Sequence, residues 1–384
     1  MLQEITIYSN GESSDIKTWS NVPFLFCKRL EEKGIKVNRV NIHANEKLLK
    51  YFNSFFFLVF RRLLKSKNSP TLYRTKLHRF LINRRLKKTV KDYPNSQLNI
   101  FLSYLFVNPY SKKPNVLWCD WSDRMVLKRA GRKPVWYERS ALDAEDKAIK
   151  NADVVYTMFP VCKKQMESMY NREFRYLGIN VVNTLYENDF DINKIIQKRF
   201  SSNKIVFIGG INYKKACEEL IKAFILVRKQ NPLIELDIVG LNLSQLNINT
   251  NEGITCHGYL DKSIEIQREK YYQILFNSKV LVQPAKKWGA YSSCIEAMYF
   301  GCPIIISPYE DFVEEFGKDI NFGYYLLEQN SLPSKIEKIF SLEEKIYNNL
   351  CKNAHESVKD YTWNNYIDLL LKDLKTQLPT LSEF

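Results

Sequence analysis

Nothing in this sequence is both long and apolar. The longest unbroken apolar run, "FFFLVF" at Phe55–Phe60, is six residues, far short of the roughly 20 that a bilayer-spanning helix needs. No segment is therefore expected to cross a membrane. Histidine is scarce as well: His43, His78, His257 and His355 are the four present, and none stands at a metal-ligand spacing from another. That argues against a protein-bound catalytic metal. Cys-x-x-Cys pairs are missing. The eight cysteines, at 27, 119, 162, 217, 256, 294, 302 and 351, stand singly and read as reduced core thiols of a cytoplasmic protein. The N-terminus "MLQEITIYSN" lacks the charged and then apolar regions of a signal peptide and reads as a strand. Internal repeats and low-complexity linkers are absent too.

Acid is missing from one stretch. Between Lys47 and Lys91 there is no Asp or Glu, while residues 61–91 hold twelve Lys or Arg, in a chain of formal net charge +15. "YFNSFFFLVFRRLLKSKNSP" opens this stretch, aromatic first and basic after. Three readings compete for residues 55–91: a solvated helix face over the core, a nucleic-acid patch, or a surface that touches anionic lipid. No RNP or zinc-finger pattern accompanies the charge, which places specific nucleic-acid recognition behind the other two.

What is present is a globular composition, 45% apolar and 26% charged, in a chain of 384 residues, long enough for two domains of similar size. Short β-rich runs alternate with amphipathic stretches, the pattern of α/β architecture with parallel sheets. In the first half the expected strands are "EITIYS", "KVNRVNI", "LNIFLSYL", "NVLWCD", "PVWYERS" and "ADVVYTM". "WSNVPFLFCKRLEEKG" between the first two reads as a helix closed by Gly34. After "YLGINVVNTLY" the pattern restarts: strand "NKIVFIGG", helix "KKACEELIKAFILVRKQNP", strands "IELDIVG" and "ITCHGYL", helix "KYYQILFNSK", strand "VLVQPA", helix from Ser292, strand "CPIIISP". The domain boundaries implied are 1–182, 183–362 and a closing helix in 363–384.

Ligands of open α/β sheets bind beyond the C-terminal ends of the strands, and three loops of the second half stand there. In "IGGINYKK", Gly209 and Gly210 admit close backbone approach, and Lys214 and Lys215 place positive charge at a helix start, which suits a diphosphate. A plain strand-to-helix turn accounts for that loop equally. In "DIVGLN", Gly240 ends a strand in a turn that would lie beside a nucleotide base. In "KKWGAYSSCIEAMYFGCPII", Trp288 and Gly289 lead to a helix that exposes the N–H groups of Ser292 and Ser293, a second anion site. Glu296 follows Ser292 by four residues, one turn on along the same face, where a carboxylate can accept two hydrogen bonds from the vicinal diol of a ribose. The plainer reading is a first-turn glutamate favoured by the helix dipole. A buried carboxylate is costly without a partner, so a ligand or a Lys or Arg is expected beside it.

These motifs, in this order, resemble the donor-binding domain of the retaining glycosyltransferases of GT-B fold, group 1 or family 4 type. The likeness runs from the glycine-lysine loop through the strand ending in Gly, "HGYL", the proline-ended strand and the glutamate helix before Gly-x-Pro. "KPVWYERSALDAEDKAIKNADVVYT", "LGIN" and "YTWNNYIDLLLKDL" resemble the acceptor domain, the passage between domains and the closing crossover helix. The resemblance implies two Rossmann-like domains facing across a cleft, with residues 1–182 taking the acceptor and 183–362 the donor. It further implies transfer from a nucleotide-diphosphate sugar with retention, no cofactor and no metal. The acceptor would be a glycan or lipid-linked glycan, and the place the cytoplasm or the inner membrane face.

Glu296 matches the second of the family's two glutamates, usually the ribose ligand, and Lys215 the lysine that neutralises the donor diphosphate. Trp288 stands where the first glutamate belongs, and Gly210 replaces the loop arginine. The acceptor-domain histidine is absent; Asp120, Glu138 and Arg139 stand nearest its place. Asp120, Asp123 and Glu138, read at strand ends, are the candidates for a catalytic base, each also read more simply as a loop or cap residue. Three other functions stay open: a sugar-nucleotide epimerase or phosphorylase-like enzyme of the same fold, a catalytically silent relative serving as a partner subunit, and a basic nucleic-acid binder.

Overall fold

The computed structural model describes residues 2–63, 72–248, 252–286, 291–328 and 331–379. The chain divides into two compact units, Met1–Asn180 with Tyr366–Phe384, and Val181–Asn365.

In unit 1 strands and helices alternate: β1 (Glu4–Ser9), α1 (Val22–Glu32), β2 (Lys36–Asn41), α2 (Glu46–Phe57), α3 (Lys76–Asp92), β3 (Leu98–Phe101), β4 (Asn115–Cys119), α4 (Asp123–Arg129), α5 (Trp136–Asn151), β5 (Val154–Thr157) and α6 (Pro160–Tyr170). The five strands form one sheet in the order β2-β1-β3-β4-β5, every pair parallel. Gly34 takes φ +79 just past the end of α1, the left-handed conformation that closes helices.

Unit 2 contains α7 (Ile192–Phe200), β6 (Lys204–Ile208), α8 (Lys214–Gln230), β7 (Glu235–Val239), β8 (Ile254–Gly258), α9 (Glu265–Asn277), β9 (Val280–Gln283), α10 (Ser292–Tyr299), β10 (Ile304–Ile306), α11 (Glu310–Phe316), β11 (Gly323–Tyr325), α12 (Leu332–Phe340) and α13 (Glu344–Val358). Its sheet runs β11-β10-β9-β6-β7-β8, again all parallel. Strands of such sheets are covered on both faces, which is why Ile205–Phe207, Val280–Val282 and Ile304–Ile306 are apolar throughout and fully buried. On α8 the buried residues Ala216, Cys217, Leu220, Ile221, Ala223, Phe224 and Val227 recur at helical spacing and seat that helix on the sheet. The last helix, α14 (Trp363–Gln377), adds Tyr366 and Asp373 to unit 1. Tyr366 accepts the Trp118 indole N–H at 2.7 Å, and Asp373 accepts from Tyr156 at 2.7 Å.

Two local expectations are corrected. "PVWYERS" is no strand: Val135 caps α5, and Glu138 at the third helical position accepts the Val135 amide at 3.0 Å, so the chain turns into a helix there. "LNIFLSYL" is cut short, since β3 stops at Phe101. The apolar run Phe55–Phe60 continues α2 into a π-helical turn, Leu58–Leu63, on which no residue is buried.

Candidate active site

The C-terminal ends of β6, β7 and β8 are drawn together by glycines. Gly209 N–H donates to Val239 at 2.9 Å and Gly240 N–H to Gly258 at 2.7 Å. Gly240 has φ +100, and a Cβ on it would sit 2.6 Å from the Gly209 carbonyl oxygen. No other residue fits there. Gly210 differs: its backbone is extended, and nothing lies within 4 Å of an added Cβ. Gly209 and Gly240 thus close the floor of this edge, and Gly210 leaves space above it.

Lys214 and Lys215 open α8, whose N-cap Tyr213 offers no side-chain hydrogen bond. Lys214 is turned along the helix to Glu218 at 3.6 Å. Lys215 is exposed and makes no ion pair among the described residues. Of the two, Lys215 is the cation left for a ligand.

α10 begins at Ser292, as expected, again without a side-chain cap. Ser292 is exposed, Ser293 half-buried, and Ile295 and Met298 fill the core. Gly301 at φ +67 and Pro303 end the helix. Trp288 lies outside the described residues.

Glu296 is 3% exposed and fully engaged. Lys262 Nζ donates to both its carboxylate oxygens at 2.9 Å. The Tyr271 hydroxyl donates to Oε2 at 2.7 Å and that of Tyr272 to Oε1 at 3.2 Å. The ammonium also lies 3.9 Å from the Tyr271 ring centroid, a cation–π contact. Burial and the neighbouring Glu296 charge raise both phenols well above their ordinary value, so they stay protonated and donate. A basic partner for the buried acid was expected from the sequence. That it is Lys262, 34 residues upstream on the loop after β8, was not. Neither were the two tyrosines of α9, which the sequence offers only as part of the helix "KYYQILFNSK".

The unit 1 candidates are each engaged by their own partners. Asp120 directly follows β4, and there Oδ1 accepts from the Trp121 amide at 2.7 Å and from Cys119 Sγ at 3.3 Å, and burial pushes its carboxyl upward. Asp123 is the first residue of α4, and its amide donates to Glu145 at 2.8 Å. Glu145 is a buried acid that the sequence does not announce. Burial and the nearby Asp123 raise it to about 8. Glu138 stands on α5 rather than at a strand end, held by the Arg132 guanidinium at 2.7 and 2.8 Å, and Arg139 beside it is exposed. No hydrogen bond joins Asp120 to Glu138.

Of the basic segment 55–91, residues 64–71 lie outside the described chain. Before them α2 has no buried residue, and Phe55 and Phe57 are 61% and 58% exposed. Arg61 stands 5.9 Å from the Phe57 ring centroid. None of the helices among the described residues is long and apolar enough to cross a membrane.

Residues 189–357 match the family "Glycosyl transferases group 1". No curated protein matches the chain. Among solved structures, a sucrose-phosphate synthase from Thermosynechococcus elongatus is similar over 99% of this chain and 100% of its own, at 17% identity and a TM-score of 0.66. WaaG, a glycosyltransferase involved in lipopolysaccharide biosynthesis, is similar over 95% and 98%, at 12% identity and a TM-score of 0.63. A TarM mutant of S. aureus, in complex with Fondaparinux, alpha-GlcNAc-glycerol and UDP, is similar over 76% of this chain but only 57% of its own, at 14% identity and a TM-score of 0.55. At such identities the likeness shows the fold, two parallel α/β units of GT-B type.

Proposed function

We propose, for a chain whose residues 189–357 form a group 1 glycosyltransferase domain on a GT-B fold, that it transfers a sugar from a nucleotide-diphosphate sugar to a glycan or lipid-linked glycan. What supports this reading is that the glycine-lined turn after β6, Lys215 at the start of α8 with no ion pair among the described residues, and the acid of α10 after β9 all follow strands of the parallel unit 2 sheet, at the strand ends where ligands of such sheets bind. In the transition state of such a transfer, positive charge grows on the sugar and negative charge on the leaving diphosphate, so the protein must hold that charge and align the acceptor. Lys215, with the amides around Gly209, Gly210, Ser292 and Ser293, holds the diphosphate; Glu296 takes the ribose; Gly240 lies beside the base. Lys214 and Trp288 complete the donor set, Lys214 after leaving Glu218.

The acceptor is assigned to unit 1. A cavity of about 690 Å³ opens there, lined by Gly11, Asp15, Arg39, Asn41, His43 and Arg85 among others. Asp120 remains the candidate base just after β4, with Glu138 second because Arg132 already engages it. Retention and independence of metal or other cofactor follow the family resemblance, and product anomer analysis and chelator treatment test them. The exposed aromatics of α2 beside Arg61 and Arg62 favour a peripheral place on an anionic membrane face, on the cytoplasmic side, in cell-surface polysaccharide synthesis.

Calorimetry against UDP-, GDP-, dTDP- and CMP-sugars tests the donor site. One nucleotide is expected to bind, and Lys215→Ala and Glu296→Ala each to weaken it, the lysine chiefly through the diphosphate. Unchanged affinity in both variants refutes the assignment. Release of nucleoside diphosphate that rises with added acceptor separates transfer from epimerisation and from a silent relative.

A further inference from the structure

The Glu296 carboxylate has no room for a ribose as it stands. An ionised carboxylate offers about four lone-pair positions, and here all are taken: two by Lys262, one by Tyr271 and one by Tyr272. A vicinal diol that donates two hydrogen bonds needs two of them back.

The partners differ in how freely they can leave. Both tyrosines are buried on α9, and the Tyr272 oxygen also accepts the Leu185 amide at 2.7 Å and meets Thr184 Oγ1 at 2.9 Å. Lys262 alone reaches solvent, its side chain 16% exposed against 4% for Glu296. Its backbone is pinned, with the Ser263 amide on Asp261 at 3.0 Å and Arg268 Nη1 on the Lys262 carbonyl at 3.0 Å. The flexible four-carbon stem can therefore turn without the loop refolding.

We propose that Lys262 is an exchangeable counter-ion that selects the ligand of this site. The ribose diol takes its two places on Glu296, and the freed ammonium pairs with the negative charge the same ligand brings. An uncharged nucleoside breaks the ion pair and supplies nothing in return, whereas a nucleoside diphosphate supplies both the diol and a new anion. Lys262 thus makes the site discriminate nucleoside diphosphates from nucleosides, beyond the direct pull of Lys215. This rests on the proposed donor site, and it assigns a specificity residue that the family pattern does not supply.

The test is calorimetry with uridine, UDP, guanosine and GDP on the full chain, for wild type, Lys262→Met, Lys262→Arg and Tyr271→Phe, with melting temperatures as a folding control. For the base that binds, Lys262→Met is expected to weaken the diphosphate about tenfold while the nucleoside binds as well as before or better, so that the affinity ratio collapses. Lys262→Arg, which keeps the charge, is expected to restore the ratio, and Tyr271→Phe to leave it intact. A Lys262→Met variant that loses both ligands in equal proportion, or neither, overturns the inference while leaving a donor site that still depends on Lys215. Wild-type protein that binds none of the four, and no other nucleoside diphosphate or sugar nucleotide of the donor panel, overturns the donor site and this inference with it. If Lys262→Met does not fold, Lys262→Gln carries the same comparison.

Discussion

The Tyr156 hydroxyl donates to the carboxylate of Asp373 at 2.7 Å, tying the edge strand of unit 1 to a helix that arrives 217 residues later. Arg175 Nε joins the same carboxylate at 3.1 Å. Hydrogen bonds to charged groups contribute about 1.5–3 kcal/mol each, and a buried partner left without its acceptor costs more than the bond was worth. Asp373→Ala is accordingly expected to destabilise the protein by roughly 2 kcal/mol in denaturant titration, and Asp373→Asn by less. A loss within 0.5 kcal/mol would show that these contacts leave α14 no more firmly held than packing alone does.

His78 makes the fold sensitive to mild acid. It is buried beside Tyr73 and Phe106, and burial lowers its imidazole to about 4. Between its ordinary value and about pH 4 the unfolded chain binds a proton that the folded one refuses, so stability falls as the pH drops through that window and is unaffected above it. The full effect is roughly 3 kcal/mol by pH 4. His78→Phe is expected to flatten the dependence of melting temperature on pH between 6.5 and 4.5. Parallel curves for variant and wild type would dismiss the assignment.

The two glycines of the ligand edge should behave oppositely. Gly240→Ala forces a side chain into left-handed φ and against the Gly209 oxygen, at a cost of about 2 kcal/mol or more. Gly210→Ala meets nothing and is expected to change stability by less than about 0.5 kcal/mol. Gly210→Arg is expected to raise nucleoside diphosphate affinity by supplying the cation that the glycosyltransferase pattern carries there. Calorimetry with the preferred nucleotide decides the matter, and an unaltered or lower affinity counts against a diphosphate at this loop.

Vesicle flotation tests the α2 surface. Wild-type protein is expected to bind anionic vesicles and release in high salt, since each surface cation contributes about 1 kcal/mol near anionic lipid. Phe55→Ser with Phe57→Ser, and Arg61→Gln with Arg62→Gln, should each reduce binding and leave nucleotide affinity untouched. Equal flotation with neutral and anionic vesicles would remove the electrostatic part of the proposal.

Much of unit 2 was legible because its strands are short apolar runs and its turns carry glycine: "IVFIGG", "DIVG" and "GCPIII" each hold part or all of a strand, with the glycines just outside it. "PVWYERS" misled because Val, Trp and Tyr favour strands, while the helix start is set by a glutamate reaching back to Val135 and by Arg132, contacts that local β-propensity does not weigh. β11, at three residues, is too brief to leave a pattern. Within the site, the acid was visible and its need for a partner was physical, but the identity of Lys262 depends on how the loop after β8 folds over α9, which spacing does not encode. The π-helical turn after α2 likewise has no sequence signature beyond its aromatic content.

The division of the chain also bears on how it is made. Unit 2 is one continuous stretch, residues Val181–Asn365, whereas unit 1 needs Tyr366–Phe384 to be whole. Domains generally fold as units, in order of synthesis, but here the ribosome finishes the later unit first. Residues 1–180 are made first, and Arg175 and Tyr156 lack Asp373 until the stretch Tyr366–Phe384 has followed. Until then unit 1 lacks Tyr366, Ile367, Leu370 and Leu374, all of them buried once the fold is whole.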